Sequence, residues 1–293
     1  MQNPVLQVKN LSKAYASQEI LTGISFKVMP GDIVGLIGEN GAGKTTMMNI
    51  IAGLRKPSGG AVAVCGKTLN RNGADYYSNI GFAFDSMAFY PYMNAIDNLR
   101  LFTDDNDKIE TLLEYFGLGA SKNKSVSTYS LGMRQKLNLI RAVICEPKLI
   151  VMDEPINGLD PKAVADFKQY IRGYVEQHQG ALLISSHALK ELLFFCNKYI
   201  FIKNKNIFAQ IDVQESPIES MDSYIDTSTG KSGENGGNGC VESLISMNVP
   251  HLMVERLHRV YFRSADISSG EITSQAYLLQ EGQTVLENIY LSM

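Results

Sequence analysis

A glycine-rich run near residue 40 carries the most specific chemical pattern of the chain. It reads Gly38-Glu39-Asn40-Gly41-Ala42-Gly43-Lys44-Thr45-Thr46 and fits the phosphate-binding pattern G-x-x-x-x-G-K-[ST]. Glycines let such a loop curl, so that successive backbone N–H groups point at phosphate oxygens. Lys44 would supply positive charge to the outer phosphates, and the Thr45 hydroxyl would bind Mg²⁺. We therefore predict a phosphate site formed by Gly38, Asn40, Gly41, Ala42, Gly43, Lys44, Thr45 and Thr46.

Two adjacent acids, Asp153 and Glu154, follow an apolar run at residues 149–152. Successive residues of a strand point to opposite faces, so the two carboxylates cannot share one role. In a Mg²⁺-nucleotide site, one carboxylate would hold the metal ion and the other would orient and deprotonate the attacking water. We predict Asp153 for the metal and Glu154 for the base. Without the phosphate loop, the pair would be interpreted as an ordinary acidic strand end.

Strands and helices must hold these groups in place. The loop lies between an apolar strand-like run, residues 33–37, and a predicted helix, residues 45–54. Further strand-like runs at residues 5–8, 24–28 and 61–65 predict a mixed β region around the loop.

Beyond the β region, the spacing of apolar residues predicts first helices and then alternating strands and helices. Residues 91–118 have apolar side chains at roughly helical spacing, which predicts a small helical insert. Beyond Ser130, strand and helix alternate, which predicts a layered sheet. These predicted segments are residues 149–152, 161–177, 181–184, 189–196 and 199–202. Residues 228–239 are rich in Gly, Ser and Asn, which predicts a flexible loop.

The composition fits one large α/β core with an appendage. The chain has 293 residues, of which 45% are hydrophobic. Its formal net charge of −3 gives no long-range attraction to nucleic acid, so no nucleic-acid partner is expected. No apolar run approaches the ~20 residues of a membrane span, and the first residues do not begin a signal peptide. We therefore expect a cytoplasmic protein.

A third pattern stands between the loop and the acids. Residues 129–135, Tyr-Ser-Leu-Gly-Met-Arg-Gln, are similar to the LSGGQ signature of the ATP-binding-cassette (ABC) family, the ATPase subunits of ABC transporters. The segment opens a predicted helix, whose first N–H groups together with Ser130 would bind an anion. The resemblance implies that Ser130, Gly132 and Gln135 contact ATP held by an opposite subunit, so that two ATPase subunits enclose the nucleotide.

The resemblance continues on both sides of the signature and covers about residues 1–210. Asn157-Gly158-Leu159-Asp160 is similar to the D-loop, and it places Asp160 at the nucleotide. Ser185-Ser186-His187 is similar to the switch histidine, which implies that His187 contacts the γ-phosphate. Tyr15 falls where the family stacks an aromatic residue on adenine. A packing tyrosine and a helix-capping aspartate are the simpler interpretations of Tyr15 and Asp160.

Two positions depart from the family pattern. Leu131 replaces the first signature glycine, but a helix N-terminus needs only a negative φ, which leucine accepts. Asp85 stands where the Q-loop usually has glutamine or glutamate. Ionised aspartate only accepts hydrogen bonds and brings negative charge towards Mg²⁺ and phosphate. We include Asp85 among the predicted metal ligands, and the alternative is an ordinary loop acid.

The resemblance implies an α/β fold, with a P-loop NTPase core of ABC type, an antiparallel β subdomain, a small helical subdomain and a C-terminal appendage. Residues 1–210 would form the ATP-binding domain, with the helical insert at about 86–145. Residues 211–293 would form an accessory region without an assigned role.

The signature form YSLGM resembles ATPase subunits of ABC-2 type bacterial exporters, among them bacitracin-resistance, lantibiotic-immunity and phenol-soluble-modulin exporters. This implies an ATPase that powers a separate integral-membrane permease from the inner face of the cell membrane. It would pair with a second copy or a homologous ATPase subunit, and its transport direction would be export of a peptide, antimicrobial or lipid-like compound. Residues 88–99 would receive the permease. A soluble ABC ATPase and a weakly hydrolysing, nucleotide-dependent regulator stay open as alternatives.

Overall fold

The computed structural model describes residues 2–69, 73–84, 89–187, 189–193, 195–213, 223–226, 251–254, 259–262, 276–278 and 285–292. Within these ranges the strands form three sheets. The first sheet is antiparallel and contains Leu6–Tyr15 (β1), Gln18–Val28 (β2), Gly59–Val64 (β4) and Lys67–Thr68 (β5). Its strand order is β2-β1-β4-β5.

The second sheet is the central one. It contains Ile33–Ile37 (β3), Ile80–Ala83 (β6), Leu149–Asp153 (β7), Ala181–Ser186 (β8), Lys198–Lys203 (β9) and Asn206–Asp212 (β10). The order is β10-β9-β3-β8-β7-β6, and all neighbours are parallel except the antiparallel pair β9 and β10. The third sheet is antiparallel, with the strands Ser223–Asp226 (β11), His251–Val254 (β12), Arg259–Phe262 (β13) and Ala276–Leu278 (β14) in the order β12-β13-β11-β14.

The α-helices are Lys44–Ile51 (α1), Gly73–Tyr77 (α2), Ala95–Leu99 (α3), Asn106–Tyr115 (α4), Leu131–Val143 (α5), Pro161–His178 (α6), Leu189–Leu192 (α7) and Val285–Ser292 (α8). Two short 3-10 helices, Gly119–Ser121 and Val126–Thr128, precede α5. No helix of the described residues is long and apolar enough to cross a membrane.

The inner strands β3 and β7 of the central sheet are buried on both faces, which is why they contain continuous apolar runs. In β7, Leu149 and Val151 belong to one buried cluster, together with β1, β2 and α1. Ile150 and Met152 belong to a second cluster, together with α5 and α6. Alternate side chains of one strand therefore fix the antiparallel sheet on one face and the signature helix on the other.

Parallel pairing brings three sequence motifs to one edge of the central sheet. Ile37, the last residue of β3, pairs with Ser186 of β8, and Asp153 of β7 pairs with Ser185. The phosphate loop, the acid pair and the switch segment therefore leave the sheet side by side. This edge, at the carboxyl ends of the strands, is where open α/β sheets place their ligands.

Helix α5 approaches β6 very closely at Gly81. A Cβ at this position would lie 1.7 Å from the carbonyl oxygen of Ala142, so no residue other than glycine fits without displacing the helix. The strand that leads to Asp85 and the helix that begins at the signature are thus held together.

The structure confirms the predicted fold class, although several element boundaries differ. The predicted helical stretch at residues 91–118 contains two helices, because the Asp105 side chain accepts the Lys108 N–H and begins α4 there. Helix α1 ends at Ile51, three residues before the predicted end, and α7 ends at Leu192 instead of near residue 196. Strand β10 runs to Asp212, and the predicted flexible loop, residues 228–239, lies outside the described residues.

Candidate active site

The phosphate loop ends in a helix N-terminus that no side chain caps. Gly43 is the N-cap of α1, with φ 99°, and as a glycine it has no side chain that could cap the helix. A Cβ at Gly43 would also lie 2.7 Å from Leu21 Cδ2, so glycine is required by both the backbone angle and the close packing. The first N–H groups of α1 are thus directed towards the loop, where an anion would find them.

Lys44 draws the two ends of this loop together. Its ammonium group donates to the carbonyl oxygens of Gly38 at 2.6 Å and Glu39 at 3.1 Å, and the residue is only 5% exposed. Burial lowers the pKa of Lys44, while the nearby carboxylates of Glu154 and Asp153 act in the opposite direction. The buried cation therefore lies between the loop and the predicted catalytic acids, as a phosphate ligand would require.

Asp153 connects the loop to the central sheet. Its Oδ2 accepts a hydrogen bond from the Thr45 hydroxyl at 2.6 Å, and its Oδ1 accepts one from the Ser185 hydroxyl at 2.5 Å. A carboxylate and a hydroxyl in contact at the phosphate loop are oxygen ligands of the kind that Mg²⁺ prefers. The residues present thus fit a Mg²⁺ ion shared with a nucleotide.

Glu154 has an unusual backbone conformation for a glutamate. Its φ is 49°, in the left-handed region that non-glycine residues avoid at a cost of about 1–2 kcal/mol. The hydroxyl of Ser185 accepts the Glu154 N–H at 3.0 Å and supports this turn. Since Ser185 also donates to Asp153, one serine fixes both acids immediately after β7.

Two side chains hold the Glu154 carboxylate. The Asn157 amide donates to Oε2 at 2.7 Å, and His187 Nδ1 lies 2.9 Å from the same oxygen. In the described residues, both contacts of the carboxylate fall on Oε2, so Oε1 can accept a proton from water. The structure thus brings the predicted base and the predicted switch histidine into direct contact.

The signature segment is joined to the D-loop. Ser130 is the N-cap of α5, and its hydroxyl accepts the Met133 N–H at 3.2 Å. A Cβ at Gly132 would lie 3.0 Å from the Gly158 carbonyl oxygen. The Leu131 side chain, although 59% exposed, packs beside Gly158. The leucine that replaces a signature glycine is therefore tolerated and covers the D-loop.

Gln135 is buried, and its Nε2 donates to the Pro155 carbonyl oxygen at 3.0 Å. Its predicted contact with a nucleotide stays a prediction. Gln135 belongs to the buried side of α5, together with Asn138 and Leu139. Its role in this structure is to hold the segment that follows Glu154.

Asp160 and Tyr15 both have contacts of the ordinary structural kind, a helix cap and a ring contact. Asp160 caps α6, because its Oδ1 accepts the Ala163 N–H at 2.9 Å, and this hydrogen bond is the main reason that its pKa is lowered. Tyr15 ends β1 with a partly exposed ring, and the Lys13 ammonium lies 4.8 Å from the ring centroid. Both geometries fit the simpler interpretations and leave room for a nucleotide contact.

Asp85 lies outside the described residues, but the positions on either side of it reveal residues that sequence reasoning missed. Buried Asn138 of α5 donates to the Phe84 carbonyl oxygen at 3.2 Å. Arg141 donates to Asn138 Oδ1 at 2.5 Å and lies 4.9 Å from the Phe89 ring centroid. Burial lowers the pKa of Arg141 to about 10. In the sequence, the polar residues Asn138 and Arg141 among the apolar residues of the predicted signature helix could have indicated this contact.

Comparisons with known proteins agree with this geometry. A family model described as ABC transporter matches residues 21–157. The ABC transporter ATP-binding protein YdbJ of Bacillus subtilis is 37% identical over 219 residues, which span 73% of this chain and 71% of YdbJ. The bacitracin transport ATP-binding protein BcrA of Enterococcus faecalis is 35% identical over 193 residues, 64% of this chain and 63% of BcrA. A solved ATP-binding subunit of an ABC transporter has a TM-score of 0.68 at 29% identity, over 72% of this chain and 91% of that subunit.

Proposed function

We propose that this chain, which belongs to the family of ABC transporter ATP-binding proteins and is an ATPase of that family, powers the export of a peptide-like antimicrobial compound through a separate membrane permease. The observation that carries the ATPase part of the proposal is a hydrogen-bond network at one edge of the central sheet, beside the buried ammonium group of Lys44. The network joins Thr45, Asp153, Ser185, Glu154 and His187. The relative named for bacitracin transport supports the substrate class.

The network supports a division of labour in ATP hydrolysis. Lys44 and the first N–H groups of α1 would bind the phosphates, and the oxygens of Thr45 and Asp153 would hold Mg²⁺. When bound, Mg²⁺ supplies positive charge that offsets the charge on the phosphates. Glu154 would take the proton of the attacking water on Oε1, while Asn157 and His187 hold Oε2. We keep Asp85 as a proposed metal ligand at the Q-loop position.

A second ATPase subunit would complete the site. The Ser130 hydroxyl and the N-terminus of α5 present an anion-binding group that, in this chain, adjoins the D-loop instead of the phosphate loop. We propose that Ser130 and Gly132 contact ATP bound to the opposite subunit. The opposite subunit would be a second copy of this chain or a homologous ATPase. The two ATPase subunits would be held at the inner face of the membrane by their contact with the permease.

The export proposal predicts a resistance phenotype. Cells that express the chain with the permease that co-purifies with it should tolerate at least about fourfold more bacitracin or lantibiotic. Lys44→Ala should abolish the gain, because a transporter that cannot hydrolyse ATP cannot export. The measurement is the minimal inhibitory concentration for a panel of peptide antimicrobials. Equal tolerance with wild-type and Lys44→Ala chains, for every compound, would argue against this substrate class.

An exposed aromatic turn is our proposed contact for the permease. Tyr92 is 91% exposed and Tyr90 is 62% exposed, next to partly exposed Met93. Buried Asn98 fixes the turn, because it accepts the Tyr90 N–H at 2.9 Å and donates to the Tyr90 carbonyl at 3.1 Å. Exposed aromatic side chains on a rigid turn are the usual anchors of an interface.

We expect Tyr92→Ala to lower permease-stimulated ATPase activity by about 5- to 30-fold, which corresponds to about 1–2 kcal/mol of lost interface energy. The basal ATPase activity of the isolated chain should not change, because Tyr92 is 91% exposed and, among the described residues, has no hydrogen bond or ion pair with the active site. Tyr92→Phe keeps the ring and serves as the control that should remain coupled. Both activities can be measured on the chain alone and on the complex reconstituted in lipid vesicles. Full stimulation of the alanine variant would move the interface elsewhere.

A further inference from the structure

The C-terminal helix α8 packs into the main core instead of lying on the surface. Val285, Leu286 and Ile289 are almost completely buried, in the same cluster as Leu189 and Leu192 of α7. Tyr261 of the third sheet is also buried in this cluster, and its hydroxyl donates to Asn288 Oδ1 at 2.8 Å. The C-terminal region is therefore attached to the segment that follows the switch histidine.

Polar contacts of α8 reach the switch segment itself. The Tyr290 hydroxyl lies 3.4 Å from the carbonyl oxygen of His187, a long hydrogen bond. Glu287 forms an ion pair with Lys190 at 3.8 Å. Next to His187, the Ser186 hydroxyl donates to the Glu191 carboxylate at 2.7 Å. The carbonyl of His187 is thus contacted by α8, and the residue before it, Ser186, is tied to α7.

Tyr290 also borders the phosphate loop. It lines a single cleft together with Glu39, Asn40, Gly41 and Ala42 of that loop. Tyr290 therefore borders the cleft of the loop and also contacts the backbone of His187, the residue whose Nδ1 lies 2.9 Å from Glu154 Oε2. A change in the position of His187 by about 1 Å would break this last contact, because hydrogen bonds end near 3.5 Å.

We infer that Tyr290 is a positioning residue for hydrolysis: it fixes the His187 backbone, and through it the Glu154 carboxylate, so that the C-terminal region sets the turnover rate. The inference rests on the proposed roles of Glu154 and His187. The Tyr290 hydroxyl contacts neither predicted catalytic side chain, so its effect should appear in the rate of the chemical step and not in ATP binding. On this inference, the C-terminal helix α8 acts on the rate of ATP hydrolysis through Tyr290.

The test is a double-mutant cycle between Tyr290 and His187 in the full-length chain. Tyr290→Phe should lower kcat by about 2- to 10-fold, the effect of one hydrogen bond, while the KM for ATP stays within about twofold. In the His187→Ala background, the same substitution should change the single-turnover rate by less than about 1.5-fold, because the group that it positions is gone. Hydrogen exchange of the amides at residues 187–192 should become faster in Tyr290→Phe.

Tyr115→Phe is the matched control, because it removes a tyrosine hydrogen bond to a backbone carbonyl, that of Asp166 at 3.2 Å, away from the active site. It should leave kcat unchanged. An equal loss of rate from Tyr290→Phe in both backgrounds, or an unchanged kcat together with unchanged exchange, would overturn the inference and leave α8 a packing element. Normal turnover in His187→Ala alone would instead refute the proposed role of His187, and with it the inference.

Discussion

Replacing Glu154 by glutamine should lower ATP turnover by about 10²- to 10⁴-fold while ATP still binds. Glutamine has nearly the same shape but cannot take a proton from water at neutral pH. The loss corresponds to roughly 3–5 kcal/mol of barrier height. The Asn157 and His187 contacts to the side chain at position 154 can rearrange around a glutamine, so the loop should keep its fold. Steady-state phosphate release and binding of a fluorescent ATP analogue measure the two effects separately.

The same variant should also reveal the assembly. With hydrolysis blocked, ATP enclosed between two subunits has no exit, so Glu154→Gln should elute as an ATP-dependent dimer in size-exclusion chromatography. Glu176→Gln, an exposed acid on α6, is the control and should behave as wild type. Turnover near the wild-type rate in Glu154→Gln would remove Glu154 from the role of general base.

The motifs with short, fixed spacing were predictable because their spacing alone determines their geometry. The phosphate loop and the acid pair each occupy contiguous residues at the end of a strand, and parallel pairing then places them together. Thr45 and Asp153 therefore meet, although 108 positions separate them, and their roles at Mg²⁺ stay predictions. The predicted helical stretch at residues 91–118 is divided into two helices, since a capping aspartate at 105 begins a new helix within the apolar spacing.

Other features depended on contacts that no local pattern shows. The left-handed conformation of Glu154 is stabilised by Ser185, a residue of a neighbouring strand, so its own sequence gives no sign of it. The direction of Gln135 depends on the close approach of α5 to residues 155–160. The docking of α8 is similar, because eight residues at the end of the chain bury their apolar face against α7, nearly a hundred residues earlier. Contacts between residues so distant in sequence become visible only in the folded structure.

The proposed nucleotide site depends on a second chain as well, because Ser130 of one subunit would complete the site at Lys44 of the other. We expect Lys44→Ala and Ser130→Arg each to abolish turnover when pure, because Lys44→Ala removes the buried cation of the loop and Ser130→Arg obstructs the N-terminus of α5. Ser130→Thr keeps both the hydroxyl and the helix cap, so it is the control that should stay active.

Mixing the two inactive chains should restore activity if the site is shared between subunits. Half of the randomly formed dimers are then mixed, and each mixed dimer has one intact and one doubly damaged site, so about a quarter of the wild-type sites are intact. If each chain instead built its site alone, every site in the mixture would be damaged and no activity would return. ATPase activity measured against the mixing ratio should therefore pass through a maximum at equal amounts. A mixture that stays inactive, or a pure Ser130→Arg chain with normal turnover, would contradict a signature that acts across the dimer.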